Sequence, residues 1–276
     1  MQLASKFAPS ASVLRSELPL LDDQIRAVAP SIFAQAKHAS RSERYTYIPT
    51  IDILQGLRKE GFMPFMVCQS RTRNEQKRDH TKHLVRLRHA GQIMGNEANE
   101  IILLNSHDGT SSYQMLAGIF RFVCKNGLVC GDTLSDIRIA HKGNVKDNVI
   151  EGAFRVLEDF EQVSAAREGM QASTLTTAEQ GAFARAALAL KYDADRTGAV
   201  PVSDAQVLQA KRVEDLGDDL WSTFNRMQEN LVSGGLQGRL ANGRRTTTRA
   251  VTSIDQNIKL NRSLWILAQE MQRFKG

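Results

Sequence analysis

The stretch Asn105-Ser-His-Asp-Gly-Thr-Ser111 sets an imidazole and a carboxylate side by side among three hydroxyls. His107 next to Asp108 is the kind of pair from which a hydrolase or nuclease builds general-base chemistry. No second carboxylate cluster or paired base stands nearby, and the same residues also spell a turn. Asp108-Gly109 bends the chain, and Thr110 or Ser111 caps a helix that follows. The turn is the reading carried forward, so no catalytic residue and no cofactor are assigned, with nuclease chemistry at His107 and Asp108 kept as an alternative.

Cys68, His80, His83 and His89 offer soft and borderline metal ligands, but their spacing matches no zinc pattern. Alternation along a strand would also point His80 and His83 apart. No metal is expected. Three cysteines, Cys68, Cys124 and Cys130, suit free thiols in a reducing compartment, so a cytoplasmic location is expected. No apolar run approaches the ~18 residues of a membrane span, and Met1 to Pro9 lacks a basic region followed by an apolar one. No phosphate-loop pattern is present.

Phosphate binding has better support. The chain carries 36 Lys and Arg against 30 Asp and Glu, a formal charge of +6, and the excess is confined to two segments. Arg71, Arg73, Lys77, Arg78, Lys82, Arg86 and Arg88 face only Glu75 and Asp79 in the first. Alternation puts Lys82, Leu84, Arg86 and Arg88 on one face of a strand, where they could follow a phosphodiester backbone. In the second, Gly234, Gly235, Gly238 and Gly243 allow close backbone approach. Arg239, Arg244, Arg245 and Arg249 stand there beside Thr246, Thr247 and Thr248 as phosphate ligands. The plainer alternatives are an edge strand whose charges block aggregation and a flexible helix connection. Aromatics are sparse, and Tyr45, Tyr47 and Phe65 are the candidates for stacking on a base.

These residues need elements to hold them. An irregular arm over residues 1–48 with one short helix around Asp22 to Ala29 leads into a capped helix over Thr50 to Gly61. Phe62 to Arg71 and Thr81 to His89 alternate as strands around a polar, mobile hairpin tip at Thr72 to His80, and Glu100 to His107 makes a third. Tyr113, Leu116, Ala117, Phe120, Val123 and Cys124 recur at helical spacing, which predicts a helix over Ser111 to Lys125 covering the sheet. Leu128 to Cys130 and Ile137 to His141 read as edge strands. From Lys146 onward the pattern is helical: residues 146–160, Ala178 to Tyr192, Asp204 to Lys211, Leu216 to Leu231 and Ser253 to Phe274. The class is α+β, an antiparallel three-stranded or slightly larger meander with a packed helix in a β-β-β-α core, then a mostly helical C-terminal half. The core spans 49–143 and the helical region 144–276, packed on it as one continuous unit.

Several stretches resemble the phage- and plasmid-like proteins that share domain of unknown function 932. They include Tyr45-Thr-Tyr-Ile-Pro-Thr, Gly61-Phe-Met-Pro, Thr81-Lys-His, Asn105-Ser-His-Asp-Gly-Thr-Ser-Ser-Tyr-Gln and Phe122-Val-Cys-Lys-Asn-Gly-Leu. Glu151-Gly-Ala, Thr248-Arg-Ala-Val-Thr-Ser-Ile-Asp and Leu260-Asn-Arg-Ser-Leu-Trp extend the likeness, which covers roughly residues 45–270. The resemblance implies a prophage, plasmid or integrative-element origin and carries over no catalytic residues. By order of elements alone the core is also similar to single-strand annealing proteins of the Rad-fifty-two type, which assemble as rings or filaments. The expected function is therefore mobile-element DNA binding, single-stranded DNA favoured, as an annealing homo-oligomer. A protein that binds a host factor is the alternative.

Overall fold

The structure is a computed structural model that describes residues 11–39, 47–89, 91, 93–94, 97–122, 126–130, 137–139, 144–192 and 200–275. Tyr45, Cys124, His141 and the arm residues 1–10 and 40–46 lie outside them. The chain divides into two compact units, one of Met1–Phe122 with Gly131–Phe160, the other of Val123–Cys130 with Glu161–Gly276.

The first unit is built on an antiparallel sheet. Its strands are β1 (Ala11–Arg15), β2 (Phe62–Ser70), β3 (His83–His89), β4 (Ile93–Met94), β5 (Glu97–Asn105), β6 (Tyr113–Arg121) and β7 (Ile137–Ile139). Spatial order follows β1-β2-β3-β5-β6, with β4 also on β5 and β7 also on β6. The arm is thus partly structured: β1 pairs with β2, and Asp22–Val28 forms helix α1. Helix α2 (Thr50–Lys59) ends where Gly61 turns the chain at φ +86, a conformation glycine adopts without strain. Ile53, Leu54 and Leu57 bury its inner stripe.

The α+β class holds, but the helix expected over Ser111 to Lys125 is strand β6, paired along its length with β5 from Glu97↔Arg121 to Leu104↔Gln114. Both its faces are largely buried, so apolar residues stand on both and satisfy helical spacing by accident. Met115 shows what occupies one face: a Cβ at Gly152 in helix α3 (Val145–Ala172) would lie 3.0 Å from its sulfur, so α3 closes over that face at a glycine. The expected turn at Asp108-Gly109 is present, as a β-to-β turn. Glu75–His80 forms a short 3-10 segment at the tip of the β2–β3 hairpin, anchored where Gln69 Nε2 and Thr81 Oγ1 donate to the Arg78 carbonyl.

The second unit is helical: α4 (Thr177–Lys191), α5 (Leu220–Ser233) and α6 (Ile254–Lys275) meet around Trp221, Phe224 and Trp265. Leu128 to Cys130 is buried here outside any strand, and the helix expected over Asp204 to Lys211 is a single turn, Asp204–Val207. Helix α4 begins with a reciprocal cap in which Thr176 Oγ1 accepts from Glu179 N and Glu179 Oε2 accepts from Thr176 N. Thr176→Ala should cost about 1 kcal/mol, read as a lower urea midpoint at unchanged slope. The expected connection between α5 and α6 is more than a flexible loop. Gln237–Arg239 (β8) and Arg245–Thr247 (β9) pair as a two-stranded ribbon.

Candidate nucleic-acid interface

The two basic segments meet different fates. On the hairpin of the first unit Arg71, Arg73, Lys77 and Arg78 are exposed and Lys82 is half-buried. Arg86 and Arg88 are not on that surface. Alternation does place Leu84, Arg86 and Arg88 together, but β3 is an interior strand with β2 and β5 on either side, and both arginines are buried. Arg86 Nη1 lies 3.0 Å and Arg88 Nε 2.8 Å from the carboxylate of Glu100, itself fully buried. The Arg88 guanidinium also rests 4.4 Å above the Phe65 ring and 4.1 Å above that of Phe120. Phe65 is therefore engaged in the core and not offered to a base. Phosphate ligation is withdrawn for Arg86 and Arg88 because a carboxylate and aromatic faces already satisfy them.

The ribbon in the second unit keeps its arginines in solvent. Arg239, Arg244, Arg245 and Arg249 are all exposed, and among the described residues none of them forms an ion pair. Register sets Arg245 directly opposite Arg239, with Arg244 next to them at the turn. Like charges directly across a two-stranded ribbon repel and destabilise the pairing. The ribbon is held through its backbone groups: Arg239 N donates to Pro201 O at 2.9 Å, and the side-chain amide Gln206 Nε2 donates to Gln237 O at 2.7 Å.

The histidines build something else. Thr50 Oγ1, fully buried, lies 2.9 Å from His83 Nε2 and 3.2 Å from His107 Nε2, and accepts from Asn105 Nδ2 at 3.1 Å. The Tyr113 hydroxyl is 3.3 Å away but donates its proton to Ile48 O. On the far side of His83, Nδ1 faces Ser31 Oγ at 2.8 Å and Thr81 O at 3.2 Å. Ser31 Oγ donates to Gln69 Oε1, and a carbonyl can only accept, so the proton of neutral His83 sits on Nδ1. His83 Nε2 then accepts from Thr50, and His107 Nε2 and Asn105 donate to it. Burial pushes His83 down to about 4, so it is neutral near pH 7.

His107 is turned into the core toward Thr50, while Asp108 accepts from the backbone and hydroxyl of Thr110, which lower its pKa. No group of three or more His, Cys, Asp or Glu among the described residues is placed to hold a metal ion. Sequence reasoning singled out His107 but missed Thr50, Tyr113, Ser31 and Gln69, which are far apart in the chain and converge only through pairing of β2, β3, β5 and β6.

Among the described residues no helix is long and apolar enough to cross a membrane. The family model for Domain of unknown function (DUF932) matches residues 37–265. UPF0380 protein YfjQ and UPF0380 protein YafZ, both of Escherichia coli (strain K12), are 52% and 51% identical to the chain over 270 residues, which is 98% of it and 97% of each relative. No solved structure matches.

Proposed function

This chain belongs to the DUF932 family, and on that footing we propose that it binds nucleic acid through phosphates held by the arginine ribbon of its second unit. The observation that carries the reading is the Arg239↔Arg245 cross-strand pair with Arg244 beside it, exposed and, among the described residues, without carboxylate partners. A polyanion is the ligand that turns this repulsion into binding, since each phosphate between two guanidiniums relieves their contact and releases counterions. Arg73, Lys77 and Arg78 on the hairpin of the first unit are exposed in the same way and offer phosphates a second set of ligands. Single-stranded DNA is the proposed substrate, and annealing by an oligomer the proposed role.

Fluorescent single-stranded and duplex oligonucleotides, titrated across a salt series with the protein's mass measured in the same samples, test this. The wild type should bind single strands with a steep loss of affinity as salt rises. Arg239→Ala/Arg244→Ala/Arg245→Ala should remove up to three phosphate contacts and flatten the logarithmic salt slope by about 2, at roughly 0.7 per phosphate on a single strand. Unchanged affinity and slope in that variant would remove the ribbon from the site. Absence of binding by the wild type at low salt would direct the arginines to an acidic protein partner.

A further inference from the structure

The ribbon borders the first of two adjoining hollows of the second unit, of about 670 and 680 Å³. They share Val200, Val202 and Ser203. Arg239 and Arg245 line the first, while Leu188, Ala189 and Tyr192 line the second. Both sizes lie within the roughly 300–1,000 Å³ typical of small-ligand sites.

One frame holds the two ends. A Cβ at Gly238 would sit 2.1 Å from Pro201 O, so glycine is what lets the ribbon lie against the segment between the hollows. The Tyr192 side chain lies near Thr248, directly after β9. Tyr192 caps α4, its backbone N–H donating to Leu188 O at 2.8 Å. The arginine pair and the tyrosine ring are therefore fixed to the same backbone, with Val202 between them. At the rim of the second hollow Asp204 is bound to Arg185 at 2.8 Å. Arg185 lines the same hollow, so this pair leaves the tyrosine end without net charge, while Arg239 and Arg245 give the other end the positive charge a phosphate needs.

We propose that the paired hollows take one nucleotide of a single-stranded nucleic acid, its phosphate on Arg239 and Arg245 and its base, turned out of the strand, against Tyr192 and Val202. This rests on the phosphate-binding reading of the ribbon and adds what phosphates cannot supply, a preference for unpaired strands. A base inside a duplex is stacked and paired, and reaches such a slot only after it is flipped out at an energetic cost. A π-face on Tyr192 accepts any base, so the preference is for strand form and not for sequence.

The test compares wild-type binding of a fluorescein-labelled oligothymidylate with that of an abasic oligonucleotide of equal length and charge. Oligothymidylate should bind about 5- to 150-fold more tightly, as expected for one base stacked on an aromatic ring. Tyr192→Ala should bring it to the abasic level, and Tyr192→Phe should keep most of the difference. Ala189→Glu, at an exposed wall position that leaves the tyrosine contact with Thr248 intact, should also erase the difference by setting a carboxylate in the slot. Equal wild-type binding of both oligonucleotides, still weakened by loss of the three arginines, overturns the base slot and leaves the ribbon reading standing. If neither oligonucleotide binds at low salt, both readings fail together.

Discussion

Glu100→Ala is expected to lower unfolding free energy by about 3–5 kcal/mol, the range for breaking a buried ion pair by removing one partner. Glu100 has no exposure and is the carboxylate that both Arg86 and Arg88 reach, at 3.0 and 2.8 Å. Without it two guanidiniums stay in the interior, and neither can shed its proton, because arginine stays protonated in proteins. The rings of Phe65 and Phe120 over Arg88 soften the loss without replacing a carboxylate. Glu100→Gln keeps the shape and one acceptor oxygen and should fall between the variant and the wild type. Urea unfolding of the three proteins at one pH measures this, and a loss below about 1 kcal/mol for Glu100→Ala would show that the arginines re-solvate, contrary to their burial. The same result bears on function, because weakened DNA binding in Arg86→Ala or Arg88→Ala would then report a damaged core and not a lost phosphate ligand.

Arg86 and Arg88 also show where sequence stops being informative. Period-two alternation placed them with Leu84 correctly, since that period is local to the strand. Whether the strand lies inside a sheet is decided by β5, which pairs Arg86 with Ile102 from far along the chain and brings Glu100 with it. An arginine in sequence looks the same whether it faces water or Glu100. Strand β6 was missed for a related reason, because burial on both faces erases alternation and leaves only composition. The arginine ribbon shows the opposite case. Its glycines and arginines were legible as residues that could approach and bind phosphate, yet the Arg239↔Arg245 register needed the paired backbone. Tyr192 gave no sequence signal beyond the end of a helix, and its proximity to Thr248 comes only from the packing of the second unit. The stretch from Asn105 to Ser111 drew attention by its reactive side chains, and its specificity has a structural origin: Asn105 and His107 both point at one threonine hydroxyl.

That hydroxyl sets up the other large effect. Thr50→Val keeps the volume of the side chain and removes the donor to His83 Nε2 and the acceptor for Asn105 and His107. Each buried hydrogen bond lost costs about 1–3 kcal/mol, and because the three share one centre their sum should saturate near 3–4 kcal/mol. Thr50→Ser restores the hydroxyl and should recover most of this, separating the lost hydrogen bonds from lost packing. Acid should attack the same network. His83 is held down to about 4 in the folded protein, mainly by burial, against an ordinary 6.5. Between those values the unfolded chain binds the proton that the folded one refuses, so stability falls as pH drops from 6.5 towards 4, by up to about 3 kcal/mol. Protonation puts a second N–H on the ring where Thr50 now donates, which forces the hydroxyl to reverse and give up an acceptor site needed by Asn105 or His107. His83→Asn keeps a donor near Ser31 and Thr81 but does not titrate. The variant should start less stable near pH 7 and lose the part of the acid slope that His83 supplies, and a slope unchanged from wild type over that interval would assign the acid sensitivity to other groups.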